Sequence, residues 1–175
     1  ITRPGYDVAR LEKCIHYAKE KWGLEVYLEP GEAVALNAGY LATRVLDIVQ
    51  NEDTKIAILD ASAACHMPDV IEMPYIPPLY GAGEVGDVPH TYRLAGPTCL
   101  AGDVIGDYGF REELQEGDLL LFGDMAIYTT CKNNTFNGMP LPNIWKRTVE
   151  GDLVRLTDFG YNEFKSRLGS KQHTD

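Results

Sequence analysis

"LEVYLEPGEAVALNAG", residues 24–39, decides how the chain is read. An apolar run ends in Glu29 and breaks at once at Pro30 and Gly31. Small residues follow, then Asn37 and Gly39. This order predicts a short strand, a tight turn and one or two helical turns. Just upstream, "YDVARLEKCIHYAKEKWG" spaces Val8, Leu11, Ile15, Ala18 and Trp22 by three or four residues, the stripe of an amphipathic helix. Asp7 is placed to cap its start, Lys19 and Lys21 fall in its last turn, and Gly23 suits a left-handed stop. Helix, glycine, strand is the αβ half of a βαβ repeat.

The texture changes near Tyr40. "YLATRVLDIVQ" and "TKIAILDAS" are rich in β-branched residues and joined by "NED", a connector of hairpin length. A Pro- and Gly-rich stretch, "MPYIPPLYGAGEVGDVP", precedes the short strand-like pieces "HTYRLAG", "DVIGDYGF", "DLLLFG", "AIYTTC" and "DLVRLTD". These predict an all-β barrel or sandwich. "GYNEFKSRLGS" predicts a short helix before a frayed tail, "KQHTD". The expected fold class is therefore α/β plus all-β, with residues 1–39 ending an α/β unit and residues 40–175 forming a β domain. One αβ unit cannot bury both its faces alone. The chain is thus expected to be the C-terminal part of a longer protein.

The chain has 175 residues, 16 basic and 26 acidic, for a net charge of −10. This balance argues against a nucleic-acid or anionic-membrane surface and is compatible with a cationic substrate. No apolar run is long enough to span a bilayer. "ITRPGYDVARLEK" has no apolar core of a signal peptide, so a cytoplasmic location is the expectation. Cys14, Cys65, Cys99 and Cys131 are widely spaced, and the four histidines form no H-E-x-x-H pattern, so neither a disulfide framework nor a metal site is suggested.

Four stretches concentrate chemistry. Glu29 would end a barrel strand, where functional residues gather, or it is a plain surface residue at a turn. In "LAGPTCLAGD", Cys99 lies in a loop and is either a tuned acid, base or nucleophile or an inert thiol. Tyr128, in the expected strand "AIYTTC", needs a partner for its hydroxyl, a phosphate or a backbone carbonyl. In "DASAACHMPDVIEMPY", His66 and Asp69 could meet an amine or form a satisfied pair.

Taken in order, "EPG", "GPTC…GD" and "YTT…FNG" resemble the motifs of the fold-type III decarboxylases that use pyridoxal 5′-phosphate, the family of ornithine, arginine and diaminopimelate decarboxylases. The resemblance covers essentially the whole chain. It is greatest to the branch acting on the carboxylated polyamines carboxynorspermidine and carboxyspermidine. It implies the closing αβ repeat of a cofactor-binding TIM-type barrel, followed by a β domain like the C-terminal domain of alanine racemase. By the same resemblance Glu29 pairs with the cofactor's pyridine nitrogen, Gly31 lets the backbone approach its phosphate, and Tyr128 contacts that phosphate. Cys99 reaches the partner subunit's site in a homodimer and protonates the substrate carbon. Asp103 matches the acidic residue of the same motif.

Two departures stand out. Glu32 replaces an arginine of the ornithine and diaminopimelate enzymes, and Leu100 replaces an acidic residue that grips the substrate's distal amine. His66, Asp69 and Asp107 are the candidates for amine contacts. The family's cofactor lysine lies N-terminal to the matching region. Two other readings stay open: a diaminopimelate- or ornithine-type decarboxylase, or a non-catalytic partner of a decarboxylase.

Overall fold

A computed structural model describes residues 5–169; the expected tail 171–175 lies outside them. Helix α1 (Val8–Trp22) starts at Asp7, whose side chain accepts from the Arg10 N–H, and stops at Gly23 with φ 63°. Pro30 leads into the short α2 (Gly31–Ala35). The expected strand between them does not form. Residues 24–28 pair with no strand among the described residues, and Leu24, Tyr27 and Leu28 are exposed. A parallel strand is held by neighbours on its edges, and here none lies beside it.

Strands β1 (Leu41–Asn51) and β2 (Thr54–Leu59) form the expected hairpin, turning at Glu52 with φ 52°. Strands β3 (His90–Ala95), β4 (Val104–Phe110) and β5 (Leu119–Phe122) complete a mixed sheet in the order β4-β3-β2-β1-β5. All its pairings are antiparallel except β2 with β3, which is parallel. A parallel pair cannot be joined by a hairpin and needs a crossover. Residues 60–89 supply it and carry two single-turn helices, α3 (Ala63–His66) and α4 (Asp69–Glu72).

The crossover also curls the sheet. Leu79 bridges Phe122 on one edge strand, and Gly83 bridges Gly109 on the other. Five strands laid flat would separate those edges by about 19 Å, at ~4.8 Å per strand. A linker of four steps spans at most about 15 Å, so the sheet must roll toward closure. Close approach at the seam requires glycine: a Cβ on Gly109 would stand 2.6 Å from the Glu84 carbonyl oxygen. Val45, Leu59, Tyr92, Leu94, Ile105 and Phe122 fill the interior.

The expected strand at "AIYTTC" is instead a helical turn, α5 (Tyr128–Cys131). The Thr129 hydroxyl bonds back to the Met125 carbonyl and the Thr130 hydroxyl to that of Ile127. This local alternative outweighs the β preference of threonine. After a 3-10 turn at Phe136–Gly138, β6 (Ile144–Arg147), absent from the sequence expectation, pairs with β7 (Leu153–Thr157). The expected short helix follows as α6 (Tyr161–Arg167).

Phe122 is fully buried and stacks edge-on with Tyr108 at 6.1 Å. Phe122→Ala is expected to lower unfolding free energy by about 3–5 kcal/mol. Val149→Ala, at a fully exposed position, should change it by less than about 0.5 kcal/mol. Urea denaturation of both variants, with the slope compared, checks this.

Candidate active site

Because β2 and β3 run parallel, their C-terminal ends lie side by side. Ser62, just past β2, therefore meets the loop of residues 96–103, just past β3. Ser62 caps α3 by accepting from the Cys65 N–H at 3.1 Å. Its hydroxyl donates to Asp103, at 2.9 Å to Oδ1. The buried Asp103 carboxylate also accepts from the Ala64 N–H at 3.1 Å, the Thr98 N–H at 3.2 Å and the Thr98 hydroxyl at 2.7 Å. Gly96 is required here, since a Cβ would stand 2.2 Å from Asp103 Oδ2 and 2.7 Å from Ser62 Cα. Between these anchors Cys99 is exposed, and its N–H donates to Asn137 Oδ1 at 3.0 Å.

His66 lies on the other side of the same turn and is 3% exposed. Its Nδ1 accepts from the Ser62 N–H at 3.2 Å, and Nε2 lies 3.0 Å from the Pro140 carbonyl oxygen. These contacts select the neutral ring with the proton on Nε2. Burial pushes the His66 pKa down from 6.5, against smaller opposing effects of the Pro140 carbonyl, Asp103 and Asp60. Asp69 pairs with Lys132 at 2.6 Å, and Lys132 also bonds Glu72. Asp107 on β4 stands opposite Arg93 on β3, bonded at 2.8 and 2.9 Å. The guanidinium holds Asp107 below the usual carboxylate range.

The segment after α2 and the segment before α5 meet at a second corner. The Asn37 N–H donates to Asp124 Oδ1 at 2.9 Å, and the Met125 N–H to the Gly39 carbonyl at 2.9 Å. Gly39 permits the approach, as a Cβ there would lie 2.9 Å from Ala126 Cβ. Residues 37–39, just past α2, are thus tied to residues 124–126, just before α5. Glu29 is exposed, and Tyr128 is half exposed with Lys132 Nζ 5.5 Å from its ring centre. No described atom lies within 4 Å of the place a Gly31 Cβ would take, apart from its own neighbours along the chain.

The structure thus brings Cys99, Asp103 and His66 together through α3, and joins Asp69 to the Tyr128 corner through Lys132. Asp107 stands apart in its ion pair. Ser62, Asn137 and Lys132 escaped the sequence reading. Ser62 had a local signal as a cap, whereas Asn137 and Lys132 act over long range.

Residues 6–126 match the family described as pyridoxal-dependent decarboxylase, C-terminal sheet domain. The chain belongs to this family. It is 41% identical, over 95% of its length, to the carboxynorspermidine/carboxyspermidine decarboxylase of Campylobacter jejuni, of which it covers 46%. It is 40% identical, over 97% of its length, to the carboxyaminopropylagmatine decarboxylase of Synechocystis, of which it covers 44%. The crystal structure of carboxynorspermidine decarboxylase complexed with norspermidine, also from Campylobacter jejuni, superposes on 95% of the chain with a TM-score of 0.83 and 42% identity, and the chain covers 48% of it. The chain thus spans less than half the length of these relatives.

The folded state holds His66 below its unfolded value near 6.5. As pH falls through the window between those two values, the unfolded chain takes up the additional proton. Stability is therefore full above about 6.5 and declines below it, by up to about 1.4 kcal/mol per pH unit for one proton. Unfolding free energies measured from pH 8 to 5 should fall more steeply in the wild type than in His66→Asn. At the other anchor, Asp103→Asn turns an amide toward four donors and should cost about 1–3 kcal/mol, read as a lowered urea midpoint.

Proposed function

We propose that this chain is the C-terminal part of a pyridoxal 5′-phosphate-dependent decarboxylase of polyamine synthesis. The substrate is carboxynorspermidine or carboxyspermidine, and the products are norspermidine or spermidine and CO₂. The likeness to the Campylobacter jejuni enzyme, extending over 95% of the chain, carries this reading. The enzyme is proposed to be a cytoplasmic homodimer whose sites are shared between subunits. Residues 1–39 close the cofactor barrel, and residues 40–175 are the β domain.

The residues present fit the cofactor. Gly31 has room where a side chain would stand, Glu29 offers an exposed carboxylate two residues before it, and Tyr128 offers an accessible phenol. Glu29 would keep the pyridine nitrogen protonated by favouring the charged pair. Gly31 and Tyr128 would hold the phosphate. When bound, pyridoxal 5′-phosphate supplies the electron sink for the pair released as CO₂ leaves. Cys99 gives its thiol proton to the carbon that lost the carboxylate, and water restores it.

The structural partners rank the candidates for the substrate's amines. Asp103 and His66 are committed to α3, and Asp107 is balanced by Arg93. Asp69 and Glu72 set two carboxylates against one Lys132, leaving a net negative site for an ammonium. The Synechocystis relative favours a second reading, with carboxyaminopropylagmatine as substrate.

CO₂ release by the complete enzyme from these three substrates, diaminopimelate and ornithine tests the reading. The highest kcat/KM is expected for carboxynorspermidine or carboxyspermidine, and preference for diaminopimelate would sink it. Cys99→Ala should lower kcat by about 10²-fold while cofactor absorbance and KM stay near wild type. Normal turnover would remove the proton-donor role.

A further inference from the structure

Cys99 sits on an exposed loop, yet two arms from α3 converge on it. One runs through Ser62 and Ala64 to Asp103, and from Asp103 to Thr98, the residue before the cysteine. The other runs through the 3-10 turn. There the Asn134 N–H donates to the Cys65 carbonyl at 3.1 Å, and Asn134 Nδ2 to the Ala64 carbonyl at 2.8 Å. The Cys65 thiol reaches the Phe136 carbonyl at 3.6 Å.

This pinned turn presents Asn137 in a left-handed backbone, φ 56° and ψ 17°. Outside glycine, few residues take that conformation, and asparagine is among those that do. From there its side-chain oxygen accepts the N–H of Cys99 itself. Cys99 has little else to fix it, since its side chain is exposed and the next N–H, that of Leu100, reaches Thr98 Oγ1 only at 3.4 Å.

We propose that Asn137 is a positioning residue for Cys99: its side-chain carbonyl fixes the cysteine's backbone and thereby the direction in which the thiol is presented. The inference rests on the reading of Cys99 as proton donor. A thiol displaced by even a fraction of its reach loses transfer efficiency, because proton transfer requires near-contact geometry.

Two substitutions in the complete, cofactor-loaded enzyme separate the acceptor from the backbone. Asn137→Gly keeps the left-handed conformation and removes the oxygen, whereas Asn137→Asp keeps an acceptor in place. Residue-resolved hydrogen exchange should show the Cys99 amide opening roughly three- to tenfold faster in N137G, the range one neutral hydrogen bond supports. Amides of β2 should exchange as in the wild type, and N137D should keep Cys99 slow. Turnover in N137G should fall with KM unchanged, and adding N137G to Cys99→Ala should cause no further loss.

Unchanged exchange at Cys99 in N137G, or equal acceleration in N137D, overturns the positioning role whatever the activity. A further loss of turnover in the Cys99→Ala background overturns it too, because Asn137 would then act elsewhere. Wild-type turnover by Cys99→Ala is the separate signature that the proton-donor reading has failed, and the catalytic part of this inference fails with it.

Discussion

The Asp103 carboxylate is 3% exposed, and among the described residues no cation pairs with it. A buried carboxylate without compensation is strongly unfavourable. Here hydroxyl and amide donors from Ser62, Ala64 and Thr98 replace the lost water. These donors come from two loops far apart in sequence, so the network forms only when the sheet beneath them has formed. Once formed it resists piecemeal loss, because removing one donor leaves the charge under-solvated. The position of the Cys99 loop is therefore set by a buried carboxylate.

Topology explains why these pieces meet. The one parallel pairing in the sheet aligns the C-terminal ends of β2 and β3. The turn after β2 and the loop after β3 then leave from the same edge. β4 runs antiparallel to β3, so its start returns to that edge, and the Gly96 N–H bonds the Asp103 carbonyl at 2.8 Å. An all-antiparallel meander would have sent the Ser62 turn to the opposite end. The crossover that the parallel pair demands is also the segment that bridges both sheet edges and rolls the sheet.

What was legible in the sequence was local. α1 could be read because its stripe, its Asp7 cap and its Gly23 stop lie within one window, and the β1–β2 hairpin because its turn separates two alternating runs. The strand expected at residues 24–28 failed because strand formation depends on a neighbour that no local pattern supplies. α5 failed because threonines that favour strands also bond back to the preceding turn. The loop of Cys99 stood out as a motif, but the partners of its neighbours did not. Asp107 reads as a free carboxylate until the β3–β4 register sets Arg93 opposite it, and His66 reads as a surface base until the fold buries it between Ser62 and Pro140.

The same contrast separates the residues proposed to carry chemistry from those that hold them. Cys99, Glu29 and Tyr128, the groups proposed to meet a ligand, are accessible, and accessible loops gain little from packing. Fixing one loop residue opposes about 1–2 kcal/mol of backbone entropy. A site that left this ordering to the moment of binding would draw on binding energy for it. Here the ordering is completed on folding, through Asp103 and Asn137 for Cys99 and through the Gly39 and Asp124 contacts for the segment leading into Tyr128. Exposed side chains can in this way sit on ordered loops.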